Sequence, residues 1–207
     1  MRRIHETADV SPQAQIGEGT VIWHQAQVRE GASIGENCII GKGVYVDFGV
    51  SIGSRVKIQN YACLYHGTRV EDGVFIGPHV CLTNDKYPRA ITADGRLKTA
   101  ADWRAGTVLI REGASLGAGS IVLPDVTVGR FALVGAGSVV TADVPDHGLV
   151  MGAPARLRGF VCRCARELEL VEELADRAIM RCPACAAEVE IPTGAFDPEL
   201  LRRRRRA

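Results

Sequence analysis

Residues 10–82, VSPQAQIGEGTVIWHQAQVREGASIGENCIIGKGVYVDFGVSIGSRVKIQNYACLYHGTRVEDGVFIGPHVCL, carry an aliphatic residue at every sixth position without a break, from Val10, Ile16 and Ile22 to Leu64, Val70, Ile76 and Leu82. Ile4 extends the series backwards, and it resumes in a new phase at Ile110, Leu116, Val122, Val128, Val134 and Val140. The residue two before each aliphatic is usually small or Val, and Gly often follows it, as at Gly17, Gly35, Gly53, Gly117 and Gly135. Periods of two or 3.6 do not hold such a register, which excludes a hairpin sheet and an amphipathic helix. Short strands joined by tight corners do hold it. Three six-residue sides close one triangular coil of eighteen residues, with the aliphatic pointing inward and Gly, Asn or Asp allowing the corners. The expected fold is all-β, a parallel β-helix over residues 1–145 followed by a closing segment, 146–160.

Composition narrows the class. At 207 residues and 46% hydrophobic, the chain holds one main core and a small appendage. The formal net charge is +1, but five positive charges are Arg202 to Arg206, so the body is mildly acidic and shows no nucleic-acid footprint. No apolar run reaches bilayer length, and MRRIHETADV lacks the apolar stretch of a signal peptide, so no membrane insertion and a cytoplasmic location are expected. Seven cysteines are an odd number, which suits a reducing compartment better than a disulfide framework.

Hexad aliphatics fill a core whatever a protein does, so function has to be sought where the pattern breaks. Between Leu82 and Ile110 the period is abandoned, with ADGR as a turn signal, and a loop over 83–107 is expected to project from the rod. His66 lies eighteen residues before Asn84, so the two are expected to stack, with Asp85 beside them at the mouth of the loop. His24 shares the hexad offset of His66 but belongs to another corner, and His79 has a different offset again.

The hexad series resembles the hexapeptide-repeat acyltransferase superfamily, whose coils are left-handed. Leu82-Thr83-Asn84-Asp85-Lys86-Tyr87-Pro88-Arg89 is similar to a motif of bacterial nucleotide-linked 3-amino-sugar N-acetyltransferases. The return from the loop, Trp103-Arg104 to Gly113-Ala114-Ser115-Leu116-Gly117-Ala118, and the closing Met151-Gly152-Ala153-Pro154-Ala155-Arg156 carry the same likeness. The resemblance covers nearly all of residues 1–160. It implies a homotrimer whose loop reaches over a neighbouring subunit, a nucleotide-linked amino sugar and acetyl-CoA as substrates, and Asn84 and Asp85 facing the sugar's amine, with Tyr87 and Arg89 as further substrate contacts. It also implies coenzyme A along the later coils, where Ala118 and Ala136 stand eighteen residues apart and Arg111, Arg156 and Arg158 offer guanidinium groups for its phosphates.

Acetyl transfer needs a neutral amine, a donor for the oxyanion and an acceptor for the amine's proton. An amide is not a base, so Asn84 orients the amine or the acetyl group, and His66 or Asp85 accepts the proton directly or through water. An unperturbed imidazole titrates near ~6.5 and a carboxylate near ~4, which favours His66. Two other readings stand beside this one: O-acetylation of a sugar or small alcohol, which needs a stronger base, and a non-catalytic β-helical scaffold. The fold also hosts zinc-dependent carbonic anhydrases, but His24, His66 and His79 form no convincing ligand set.

Past Gly159 the hexads end. Cys162-Arg163-Cys164 and, across seventeen intervening residues, Cys182-Pro183-Ala184-Cys185 read as a closed, structural Zn2+ site in a ribbon over 161–192, since so short a segment lacks the core to fold unaided. Strands or a short helix through Arg166 to Ala178 fit the intervening stretch equally. Cys38, Cys63 and Cys81 read as reduced thiols, and residues 193–207 as a disordered basic tail.

Overall fold

In the computed structural model, which describes residues 1–196, two- and three-residue strands recur every six residues and wind into a three-sided parallel β-helix. The first face begins with Arg3–Ile4, Val21–Ile22 and Ile39–Ile40, the second with Asp9–Val10 and Gln27–Val28, and the third with Gln15–Ile16 and Ser33–Ile34. Each strand pairs in parallel with its equivalent one coil on, as Ile22 with Ile40 and Leu64 with Leu82. The first edge of the prism joins the first and second faces, the second edge the second and third, and the third edge closes the coil.

The hexad aliphatics point inward and are fully buried from Ile22 to Val140, together with the smaller residues two positions before them, such as Ala26, Ala62, Val80 and Ala132. In the first coil, Ile4 is exposed and Val10 and Ile16 are half-buried, because no earlier coil covers them. The corners turn through left-handed backbone at regular steps, as at Gly119 and Gly137 and at the non-glycine Gln25, Tyr61 and His79. Where coils touch closely, glycine is required by space rather than by φ. A Cβ on Gly117 would lie 2.5 Å from the Ala136 nitrogen.

The interruption leaves the register of the coils intact. Cys81–Leu82 pairs with Ile121–Val122, so the extra residues are extruded at the second edge between the second and third faces. The loop carries structure of its own: Ile91 bridges Leu97, Gly95 turns the tip, and Arg96 pairs with Asp102 at 2.7 and 2.9 Å. Asp102 also accepts the Thr99 N–H, and these contacts, the Arg96 pairing first, hold its carboxyl far below the usual range.

At the far end, Gly148–Met151 continues the first face and Arg156–Phe160 folds back on it antiparallel. Leu157 packs against both the prism core and a second apolar cluster built on Phe160, Met180, Ile191 and the two buried cysteines, Cys162 and Cys182. A three-stranded antiparallel sheet, Glu169–Glu173, Arg177–Arg181 and Glu188–Pro192, follows. Of the two sequence alternatives for Arg166 to Ala178, strand is the one formed and the helix is not. The order also runs past Pro192: Thr193–Ala195 make a tight turn and Phe196 packs edge-on against Phe160, which corrects the expectation of a disordered tail for residues 193–196. Arg202 to Arg206 lie outside the described residues. Among the described residues no helix is long and apolar enough to cross a membrane.

The close packing of coils has a measurable consequence. Gly119→Ala meets no atom within 4 Å and strains only a φ of +68°, so thermal melts are expected to show a loss of about 1–2 kcal/mol. Gly117→Ala strains no φ but must displace the next coil's backbone, and it is expected to melt clearly lower than Gly119→Ala; equal melting of the two would contradict the spacing described.

Candidate functional site

His66 follows Leu64 at the second edge, Asn84 occupies the same corner one coil on, and the eighteen-residue column expected from the sequence is formed. The contact within it is specific. Asn84 donates from its side-chain nitrogen to the main-chain carbonyl of His66 at 3.3 Å, while its own carbonyl accepts the Gly106 N–H at 2.8 Å and closes the neck of the loop. The imidazole engages the coil below, lying flat on Phe48 with ring centroids 4.0 Å apart. Its Nδ1 is 3.0 Å from the Phe48 carbonyl. A carbonyl only accepts, so Nδ1 carries the proton and, in the neutral ring, Nε2 keeps the lone pair that a general base needs.

Asp47, which the sequence reading passed over, holds this corner. Its carboxylate is 6% exposed and accepts the N–H groups of Phe48 (2.8 Å) and His66 (3.1 Å), the Tyr45 hydroxyl (2.9 Å) and the Arg29 guanidinium (3.0 Å). Burial pushes the Asp47 carboxyl up, but these donors outweigh it and leave it below the ordinary value. The available signal was columnar, since Arg29 and Asp47 are themselves eighteen residues apart.

Asp85 accepts the Tyr87 N–H at 2.9 Å and so shapes the first turn of the loop. Asp85 and Tyr87 line a cleft of about 300 Å³ at the loop's base with Lys98, Trp103, Arg104 and Asp125. Arg89 is exposed, reaching only the Pro88 carbonyl, and does not line that cleft.

Ala118 and Ala136 stand one above the other on the first edge, both exposed, joined by the Gly137 N–H to the Ala118 carbonyl at 2.8 Å. Gly77, Gly117 and Gly135 run beside them in successive coils, each with backbone or Cβ atoms of the next coil within 3.0 Å of where a Cβ would stand, so the coils pack closely here and the glycines put no side chain on this stretch of edge. Arg156 leaves the segment 152–155 that hydrogen-bonds to Val139 above that edge, and Arg158 is two residues farther along the same exposed strand. Arg111 does not join them. It sits on the third edge, its Nε 3.9 Å from Glu71, because the third-face strand Val108–Ile110 delivers it to the opposite side of the coil.

His24 stacks on His5 at 3.5 Å and His79 on Tyr61 at 5.4 Å, both along the first edge and away from His66. Cys63 and Cys81 are register partners on the second face, and burial pushes both thiols up.

The four C-terminal cysteines converge. All four sulfurs lie within 4.8 Å of one another, with Cys162 to Cys185 at 3.6 Å and Cys164 to Cys182 at 3.5 Å, and they are the group of metal-binding side chains found among the described residues. A tetrahedral zinc with Zn–S of about 2.3 Å has S–S edges of roughly 3.8 Å, so the donor set fits that ion. Ala165 and Ala186, in left-handed backbone, turn the two knuckles. The Cys182 thiol is held down to about 7: burial opposes this, and the N–H groups of Cys185 and Ala184 and the Cys164 thiol outweigh it. The module is seated on the third edge, where His147 and Val161 exchange contacts of 2.7 and 2.8 Å and Arg163 lies 4.8 Å over the Phe131 ring.

Asp47→Asn keeps the shape but halves the acceptor strength. It is expected to lower stability at pH 7 by roughly 1–3 kcal/mol. A depressed folded pKa gives stability that is complete above the unfolded value of about 3.9 and lost as pH falls through the folded one, so the gap between wild type and variant should close below about pH 4. Denaturation across pH checks this; a gap unchanged down to pH 2 would contradict the role given to the carboxylate.

Comparison with known proteins agrees with this geometry. The bacterial transferase hexapeptide model (six repeats) matches residues 13–47 and 49–84, and the hexapeptide repeat of succinyl-transferase matches 107–142, together just over half of the chain. The chain is 36% identical over 77 residues to dTDP-3-amino-3,6-dideoxy-alpha-D-galactopyranose 3-N-acetyltransferase of Aneurinibacillus thermoaerophilus, covering 37% of this chain and 38% of that protein. It is 32% identical over 144 residues to serine acetyltransferase 4 of Arabidopsis thaliana, covering 69% of this chain and 38% of that one. The chain thus spans well under half the length of these curated relatives. Among solved structures, a mutant of AntD, an N-acyltransferase from Bacillus cereus in complex with dTDP and coenzyme A, superposes with a TM-score of 0.65 at 26% identity, covering 72% of this chain and 85% of that one. With the repeat counted in its sequence, wound into three faces and matched on both sides of the loop, the chain belongs to the hexapeptide-repeat transferase family.

Proposed function

We propose that the protein is an acetyl-CoA-dependent N-acetyltransferase acting on a nucleotide-linked amino sugar, a 3-amino sugar in the reading its loop motif supports. The observation that carries this is the His66 corner: an imidazole fixed by Phe48, on a main chain held by Asp47, with Nε2 as its lone-pair nitrogen, directly below Asn84 at the root of the long loop. Nε2 of His66 takes the proton of the attacking amine, directly or through water, and Asn84 orients the amine or the acetyl group. Asp85 shapes the loop turn and faces the cleft it shares with Tyr87, which is the acceptor side of the site. The similarity to 3-N-acetyltransferase and N-acyltransferase relatives supports the same chemistry. Similarity to a serine acetyltransferase keeps O-acetylation as the second reading.

The glycine-lined stretch suited to coenzyme A is on the first edge, whereas His66 and Asn84 are on the second, so one chain does not bring them together. A threefold assembly with the second face around the axis does, because it sets each first edge against a neighbour's second edge. That face carries Tyr45, Cys63, Tyr65, Cys81 and Ile121 outward, against Ser33, Ser51 and Arg69 on the third. The four cysteines hold a structural zinc ion that closes the C-terminal end of the prism.

A screen of nucleotide-linked 3-amino and 4-amino sugars with acetyl-CoA, following free thiol, tests the reaction. His66→Ala is expected to lower kcat by ~100-fold or more with little change in the KM for acetyl-CoA. Acetylation of hydroxyl acceptors alone, with no amine turned over, would sink the N-acetyl reading. Elemental analysis is expected to find one zinc ion per chain, and Cys182→Ser to lose it and lower the melting temperature. Zinc-free protein of unchanged stability would remove the metal proposal.

A further inference from the structure

We infer that the cleft around Trp23 on the first edge is the subsite for the nucleoside diphosphate of the acceptor. This rests on the acyl-transfer reading above and extends it to a part of the chain that nothing in that reading uses. Trp23 is 37% exposed, on an edge where the equivalent positions of the next coils are Gly41 and Gln59. Gly41 is dictated by space, since a Cβ there would stand 2.7 Å from the Asn60 side-chain oxygen and 2.9 Å from the Gln59 carbonyl carbon. Gly41 therefore adds no side chain to the edge, and a cleft lies beside it between the Trp23 indole and the Gln59 and Asn60 side chains two coils on.

The cleft has a volume of about 260 Å³, and its walls match a nucleotide in kind. Trp23 offers a stacking face and Ile39 an apolar floor, while the Gln59 amide carries a donor and an acceptor for the edge of a base; the Asn60 side-chain oxygen already accepts the Lys42 N–H at 3.0 Å and leaves its amide N–H groups as donors. Two cations flank it: Lys42 in the wall, and Arg3, whose guanidinium is 5.4 Å from the Trp23 ring centroid. No acidic side chain lines it.

Its height along the prism is also apt. The cleft spans the second to fourth coils, His66 is in the fourth, Asn84 in the fifth, and the glycine-lined stretch of Gly77, Gly117 and Gly135 occupies the fifth to seventh. A base at Trp23 therefore lies one to three coil steps, ~5–15 Å along the axis, from the reacting amine. The diphosphate and sugar span that interval, and coenzyme A approaches from the opposite end.

Calorimetry with UDP, dTDP, GDP, CDP and, separately, coenzyme A tests the assignment on wild type, Trp23→Ala and Lys42→Ala, each checked by thermal melting. At least one diphosphate is expected to bind wild type, to bind Trp23→Ala about tenfold or more weakly, and to lose affinity in Lys42→Ala, with coenzyme A affinity unchanged in both. Diphosphate binding that survives both substitutions overturns the inference, as does a selective loss of coenzyme A, which would assign the cleft to its adenine. Wild type that binds coenzyme A but none of the four diphosphates overturns the inference alone. Wild type that fails to bind coenzyme A overturns the acyl-transfer reading beneath it.

Discussion

Main-chain hydrogen bonds tie every coil to the one before and the one after, Asp9 to Ala26, Gln27 to Val44, Tyr45 to Ala62 and so on up the prism. Because the strands are two or three residues long, these parallel ladders cannot slip without turning each inward aliphatic out to solvent. A residue's number thus fixes its edge and its height to within a strand spacing. The chemistry of the molecule depends on that constraint. It puts the His66 carbonyl under the Asn84 amide, three glycine-bearing coils along the edge of Ala118 and Ala136, and a cleft beside Trp23, with no helix or domain closure needed to assemble them.

The same constraint explains what could be read in advance. A period of six is visible because the core demands it, and multiples of eighteen turned polar residues into columns, which is why the pairing of His66 with Asn84 was legible. Direction within a column was not. Whether the imidazole meets the amide above or the aromatic ring below depends on side-chain torsions, and the ring chose Phe48. Asp47 escaped notice because it sits directly after an inward valine and looks like a corner former, while its four donors come from three coils. The family resemblance implies a phosphate contact for Arg111, and only the count of faces between Ile110 and Leu116 puts it on another edge.

Beyond Gly159 the rule lapses and so does its predictive reach. Two pairs of cysteines announced a metal-like cluster, since thiols at such spacings converge whatever lies between them, but the segment from Arg166 to Ala178 had no period to decide between strand and helix. Packing decided it: Leu168, Ala178, Met180 and Ile191 bury against Phe160, and Phe196 completes the cluster. Leu157 touches both cores, so the cysteine module is continuous with the end of the prism rather than tethered to it.

The central claim is that the reacting groups belong to two edges that only neighbouring chains bring together. A crystal structure of the protein with coenzyme A and a nucleoside diphosphate tests it most directly. The account predicts the pantetheine along Gly77, Gly117 and Gly135 of one chain, with its sulfur directed at His66 and Asn84 of another. Coenzyme A bound with its sulfur beside His66 of the same chain, or seated on the third edge near Arg111, would contradict it.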